Sequence, residues 1–188
     1  TMNIFVLDKD PVVAAQQSCD KHVVKMIIET GQMLSTAHRV LDGAEYYDMS
    51  KGDRPRKIKR WRLDDGRENV LWKASFVGHP CTQWCMKTHL NYDWLSRHGV
   101  ALCEEYTHRY GKIHKSEKLL RLLEDLFPTN ISIGDLTPFA QAMPEQYKTE
   151  SAVQAYQNYY HGEKAYFAKW TNRDAPEWWS PEGFLAAV

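Results

Sequence analysis

A glutamate stands in the middle of an apolar run, KHVVKMIIETGQML at 21–34. At about 100° per residue, Ser18, His22, Lys25, Glu29, Gln32 and Thr36 fall on one strip of a helix. Val24, Ile27, Met33 and Leu34 lie on faces that pack inward. Two chemistries fit the strip. A solvated Lys25–Glu29 pair at i,i+4 stabilises the helix by about 0.2–0.5 kcal/mol and does nothing more. A carboxylate sheltered among apolar residues, with His22 on the same side, is instead a general acid/base. One helix does not choose between them.

Further along, RPRKIKRWR at 54–62 places six cations in nine residues. Arg56, Lys57, Lys59, Arg60 and Arg62 suit phosphates, and Trp61 suits a base face, the two terms of nucleic-acid binding. A solvated basic loop is the other reading. In YQNYYHGEKAYFAKW at 156–170, Tyr156, Tyr159 and Tyr160 sit with His161 and Lys164. Aromatics at this spacing usually form core, yet with lysines they also suit stacked bases. Cys81, Cys85 and His89 recur at i,i+4, but no second ligand pair follows, so the expectation is a stripe of buried thiols and no metal. No Walker loop, G-x-G-x-x-G or H-E-x-x-H is present, and no cofactor is expected.

Composition narrows the partners. In 188 residues, 24 Lys and Arg balance 24 Asp and Glu, so bulk charge selects no partner and only local concentration of cations can. Hydrophobic residues at 43% and charged ones at 26% describe an ordinary globular chain. No apolar run is long enough to cross a membrane, and no signal-peptide pattern opens the sequence as given. With four dispersed cysteines, these features predict a cytoplasmic, monomeric single domain over residues 1–188.

The elements that must position these groups are helical. MNIFVL reads as a strand or an extended lead-in. Asp10-Pro11 is an N-cap and first-turn proline, opening a helical region to about Val40 with a break near Cys19–Asp20. A polar loop follows to about Glu68. Helices are predicted from Pro80 to Gly99, from Val100 to Gly111, over EKLLRLLEDLF behind Ser116, and over ESAVQAYQNYYHGEKAYFAKW. The tail NRDAPEWWSPEGF is irregular and packs by its tryptophans. The fold class is an all-α domain with long connections, its amino-terminal segment threading towards the helical core.

Taken in order, these features resemble the phage pyrimidine-dimer DNA glycosylases with abasic-site lyase activity. In that family a threonine and a short apolar lead-in precede a helix with a histidine and, seven residues on, the catalytic glutamate. Here stand Thr1, MNIFVL, His22 and Glu29. RPRKIKRWR resembles the family's basic loop. THLNYDWLSRHGVALCEEYTHRYG resembles its segment with a histidine, a Tyr-Asp pair and a later Glu-Cys, here Cys103-Glu104. MPEQYK and YQNYYHGEKA resemble its last two motifs. The family's arginines after the threonine, before the glutamate and three residues beyond it are here Met2, Ile28 and Gln32.

The resemblance implies a DNA repair enzyme acting on duplex DNA. The α-amine of Thr1 is the nucleophile, because an α-amino group near a pKa of about 7.7–8.0 is partly neutral at physiological pH. Glu29 handles protons and stabilises the cationic sugar. His22, Lys25, the basic run, Tyr156, Tyr159, Tyr160 and Lys164 bind a DNA from which a nucleotide is flipped out. On the residues themselves two other readings stay open: a phage enzyme modifying DNA bases on the same scaffold, and a non-catalytic nucleic-acid-binding protein.

Overall fold

The structure is a computed structural model that describes residues 2–180. About half of the chain is helical, in α1 (Pro11–Gln17), α2 (Asp20–Asp42), α3 (Pro80–Lys87), α4 (His89–Tyr110), α5 (Glu117–Asp125) and α6 (Ala152–Tyr159). The only sheet among the described residues is an antiparallel hairpin of β1 (Ala44–Met49) and β2 (Lys57–Arg62). The domain is mostly all-α, as the periodicity predicts.

Asp10 caps α1, its carboxylate accepting from the N–H groups of Val12 and Val13 at 2.8 and 3.3 Å. The break falls at Ser18–Cys19, where both residues are extended, and α2 then runs unbroken to Asp42. Helices α3, α4 and α5 pack against α2, and α4 in turn packs on α1, α3 and α5. The open side of α2 is Lys21, Val24, Lys25, Ile28 and Gln32. That strip is displaced by about one residue from the one read in the sequence. Val24 is therefore exposed rather than inward, and His22, Glu29 and Thr36 are covered.

Residues Met2–Leu7 belong to no helix or strand and are buried, meeting α2 through Asn3 on Glu29 and Phe5 on His22. Burying side chains of this size contributes about 1.5–3 kcal/mol each, which outweighs the roughly 1–2 kcal/mol needed to fix each residue's backbone. Side chains replace the missing ladder. Asn3 Oδ1 accepts from Ile4 N–H at 2.9 Å, and Asn3 Nδ2 donates to Ala142 O at 2.9 Å.

Three sequence readings change. Residues 57–62 are not a loop: β2 pairs with β1 in the register Ala44–Arg62 to Met49–Lys57. The helix predicted to end at Gly99 breaks instead at Thr88, whose hydroxyl accepts from Asn91 N–H at 3.1 Å and caps α4. Gly99 lies inside α4 because a Cβ there would stand 2.7 Å from Leu120 Cδ1 and 2.8 Å from Thr30 Cγ2. It lets α2, α4 and α5 close up. The last helix is also shorter than expected. It gives way at Tyr160 to a π-turn through Lys164, in which Gly162 leaves room for the Tyr147 ring.

The C-terminal segment returns to α1, α2 and α4. Trp170 Nε1 donates to Gln17 O at 2.8 Å, and Trp178 Nε1 to Gln17 Oε1 at 3.0 Å. Arg109 reaches Asp20 at 3.0 Å and Glu105 at 2.9 Å, and Arg173 reaches Glu105 at 2.7 Å. Each buried charge here is paired, as burial of ions requires. The end of the tryptophan-rich tail, from 181, lies outside the described residues. Among the described residues no helix is long and apolar enough to cross a membrane.

Candidate active site

Glu29 sits on the third turn of α2, at the edge of its open side. Its side chain is 11% exposed. Oε1 accepts the backbone N–H of Asn3 at 3.2 Å. Oε2 is buried with no hydrogen-bond partner among the described residues. Lys25 Nζ stands 3.8 Å from Oε2, too far to satisfy it by a hydrogen bond. Burial raises the carboxyl pKa above the ordinary glutamate range, and Lys25 opposes the shift without reversing it. The bland reading of a solvated i,i+4 pair therefore does not describe Glu29.

The carboxylate lies at the wall of an open cavity of about 600 Å³, lined by Met2, Val24, Lys25, Ile28, Gln32, Phe76, His114 and Lys115. Met2, Ile28 and Gln32 occupy the positions where the resemblance places arginines, so the wall is largely apolar. A second cavity of about 740 Å³ adjoins it, sharing Ile28 and Lys115.

Three more residues of the predicted site, Lys25, Tyr159 and Lys164, lie at or near this face. Lys25 lines the cavity. Lys164 Nζ lies over the half-buried Tyr159 ring at 4.6 Å, and Lys21 lies over Phe167 at 4.6 Å. Burial lowers the pKa of Lys164. Thr1 lies outside the described residues, but Met2 lines the cavity and Asn3 is bonded to Glu29.

Three predicted DNA contacts are corrected. His22 is buried and stacks under Phe5, ring centroids 3.9 Å apart, with Nδ1 2.6 Å from the Tyr160 hydroxyl. Burial, helped by Lys164, Lys25 and Lys21, lowers its pKa to about 3, so it is a neutral core group. Tyr160 is fully buried, and its hydroxyl also accepts from Cys19 N–H at 3.2 Å. Tyr156 is equally buried. Its hydroxyl donates to Asn3 Oδ1 at 2.7 Å and also lies 2.9 Å from Ala140 O. It acts on the site at one remove, by fixing the residue that holds Glu29.

The basic run stands on the hairpin. Arg56, Lys57, Lys59 and Arg62 are exposed. Cross-strand pairs organise them: Lys57 lies over Tyr47 at 4.3 Å and Arg62 over Tyr46 at 4.3 Å, while Lys59 lies over the half-buried Trp61 at 5.5 Å. Arg60 differs. Its Nη1 donates to Ala74 O at 3.1 Å and clasps the hairpin to the loop before α3. Arg39 anchors the same region from α2, donating to Trp61 O, Glu68 and Trp72 O within 3.0 Å.

Cys81 and Cys85 are buried, and burial pushes the Cys81 thiol up to about 12. His89 begins a different helix across the Thr88 break, where its Nδ1 accepts from Gly134 N–H at 3.1 Å. The three therefore do not share one helix face.

Sequence reasoning missed Asn3, Phe76, His114 and Lys115. Phe76 has the plainest signature. It is a non-glycine residue at φ 50°, 59% exposed, and it lines the cavity. A bulky residue in this region is strained by about 1–3 kcal/mol, and such outliers cluster at functional sites. His114 has its pKa lowered by burial, and its Nδ1 accepts from Ser116 N–H at 3.0 Å.

No curated protein and no solved structure matches the chain. The family model described as pyrimidine dimer DNA glycosylase does match, over residues 2–119. More than half of the sequence, from the buried lead-in through Glu29 and the hairpin to the start of α5, lies within that match, and the chain belongs to the pyrimidine dimer DNA glycosylase family.

Proposed function

We propose that the chain excises a base from DNA and cleaves the strand at the resulting abasic site, with an α-amine as nucleophile and Glu29 as the acid/base. The observation that carries this reading is the hydrogen bond from Asn3 N–H to Glu29, which brings the chain two residues after Thr1 onto a sheltered carboxylate. In this reading the neutral α-amine of Thr1 attacks the sugar C1′ as the glycosidic bond breaks and the base leaves with a proton. Loss of a further amine proton and opening of the C1′–O4′ bond give an imine. The Glu29 carboxylate then takes a C2′ proton, and the 3′ phosphate departs.

A carboxyl whose pKa is raised by burial is suited to both halves of this cycle, because it holds a proton more readily than a solvated glutamate and can still release it. Lys25, Lys164 and the hairpin cations meet the phosphates in this reading. The test is borohydride reduction in the presence of abasic-site duplex. A covalent adduct located by mass spectrometry on the Thr1 α-nitrogen is expected, and acetylation of that amine should abolish it. An adduct on a lysine, or none, would overturn the proposal.

A further inference from the structure

His79 caps α3 and has no part in the chemistry above. It is half-buried, and its Nδ1 accepts from Cys81 N–H at 3.0 Å. Serine, threonine, aspartate or asparagine would cap a helix at least as well, so the cap alone does not call for an imidazole. The bond does fix the tautomer. Nδ1 spends its lone pair on Cys81, so in the neutral ring the proton sits on Nε2. Burial lowers the pKa of the ring and keeps it neutral, while the Met2 backbone, accepting a hydrogen bond, opposes that shift. The remaining N–H of His79 therefore faces the residue that follows Thr1.

The turn that carries His79 holds it there. Ser75 N–H donates to Thr36 Oγ1 at 3.0 Å, which ties the turn to α2. Phe76 bends the chain at φ 50°, and its carbonyl accepts from His79 N–H at 3.1 Å. The first turn of α3 then lies along the lead-in. Thr82 Oγ1 is 3.7 Å from Met2 Sδ, and Cys81 Sγ is 3.7 Å from Asn3 Oδ1, all four residues being buried. The strained angle at Phe76 thus has a use, since it aims His79 at the amino-terminal segment.

We propose that His79 is a positioning residue for the amino-terminal nucleophile, holding the Met2 carbonyl through Nε2–H and so setting how the α-amine meets Glu29. Tyr156 and Glu29 fix Asn3, one residue further on, so the segment is gripped at two consecutive residues. A neutral donor does this without placing a second positive charge beside an amine that must shed its own proton. The inference rests on the lyase reading and deepens it by naming what aims the amine.

Two amides separate the cap from the grip on Met2. Asparagine reproduces the place of Nδ1, so His79→Asn keeps an acceptor for Cys81 N–H and loses the reach to Met2. Glutamine reproduces the place of Nε2, so His79→Gln keeps the reach and loses the cap. Borohydride trapping on abasic-site duplex should slow by about tenfold or more in His79→Asn, although that variant melts like the wild type. His79→Gln should melt lower and still trap at close to the wild-type rate. Rates that follow the melting order, or that fall equally in both variants, make His79 a structural cap and overturn the proposal.

Hydrogen exchange at the Asn3 amide reads the same grip independently of any reaction. It should quicken by about tenfold or more in His79→Asn and stay near the wild-type rate in His79→Gln. Unchanged exchange in His79→Asn also overturns the proposal. A wild type that does not trap sinks the lyase reading alone, because the exchange still decides what His79 holds.

Discussion

Asn3 N–H and Glu29 Oε1 share a hydrogen bond of 3.2 Å across 26 residues of sequence. It ties the amino-terminal segment to α2 at the carboxylate itself. Tyr156 supports it from behind through Asn3 Oδ1 at 2.7 Å, so two distant segments converge on one carboxyl group.

Burial raises the Glu29 pKa above its ordinary value of 4.5. The folded chain therefore holds this proton more tightly than the unfolded chain, and the ionised form opposes folding as pH rises from 4.5 through the folded pKa. Glu29→Gln should melt higher than the wild type at neutral pH, each kcal/mol of relief reading as about 2–4 °C at this size. The gap should close on acidification towards pH 4.5. Melting curves across that range check it, and a gap that widens on acidification contradicts it.

Neutralising Arg56, Lys57, Lys59 and Arg62 should weaken duplex binding and flatten its salt dependence. The log–log slope should fall by roughly 0.9 for each phosphate that is no longer neutralised. Arg60→Gln should act differently, lowering stability through its hydrogen bond to Ala74 O. Titrations at several salt concentrations, paired with melting, separate the two effects.

How far the sequence led depends on which force shaped each element. Helix α2 was legible because a long apolar run has strong periodicity, whereas the shelter of Glu29 was not, because the open strip lies about one residue from the one that the periodicity marks. The hairpin was not, since its strands are short and exposed and are organised by cation–aromatic pairs such as Lys57–Tyr47 rather than by alternating hydrophobicity. Gly99 was misread because a glycine that ends a helix and one that admits a neighbouring helix look alike in one dimension. His22, Tyr156 and Tyr160 have the chemistry of a binding face but point into the core, because the buried lead-in needs partners there. Nothing in the residue type of Phe76 announces a positive φ.

Tyr160→Phe should cost about 1–3 kcal/mol, since it leaves buried polar groups on His22 and Cys19 without their partner. DNA affinity should hold in the folded variant. A drop in affinity with unchanged stability would return Tyr160 to the DNA face.

Gly99→Ala places a methyl against Leu120 and Thr30 in the closest approach of three helices. Overpacking of about 1–3 kcal/mol should exceed the gain of up to about 1 kcal/mol from alanine's helix propensity. Denaturant unfolding should show a net loss of stability; a gain would mean that α5 can shift freely.

The central claim is that Glu29 is the acid/base of strand cleavage, and single-turnover cleavage of abasic-site duplex by Glu29→Gln tests it most directly. The variant keeps the shape and the Asn3 hydrogen bond while removing the charge. Its cleavage rate is expected to fall by about 10²–10⁴-fold with duplex affinity unchanged. Cleavage at the wild-type rate would show that this carboxylate is structural and that the chemistry lies elsewhere.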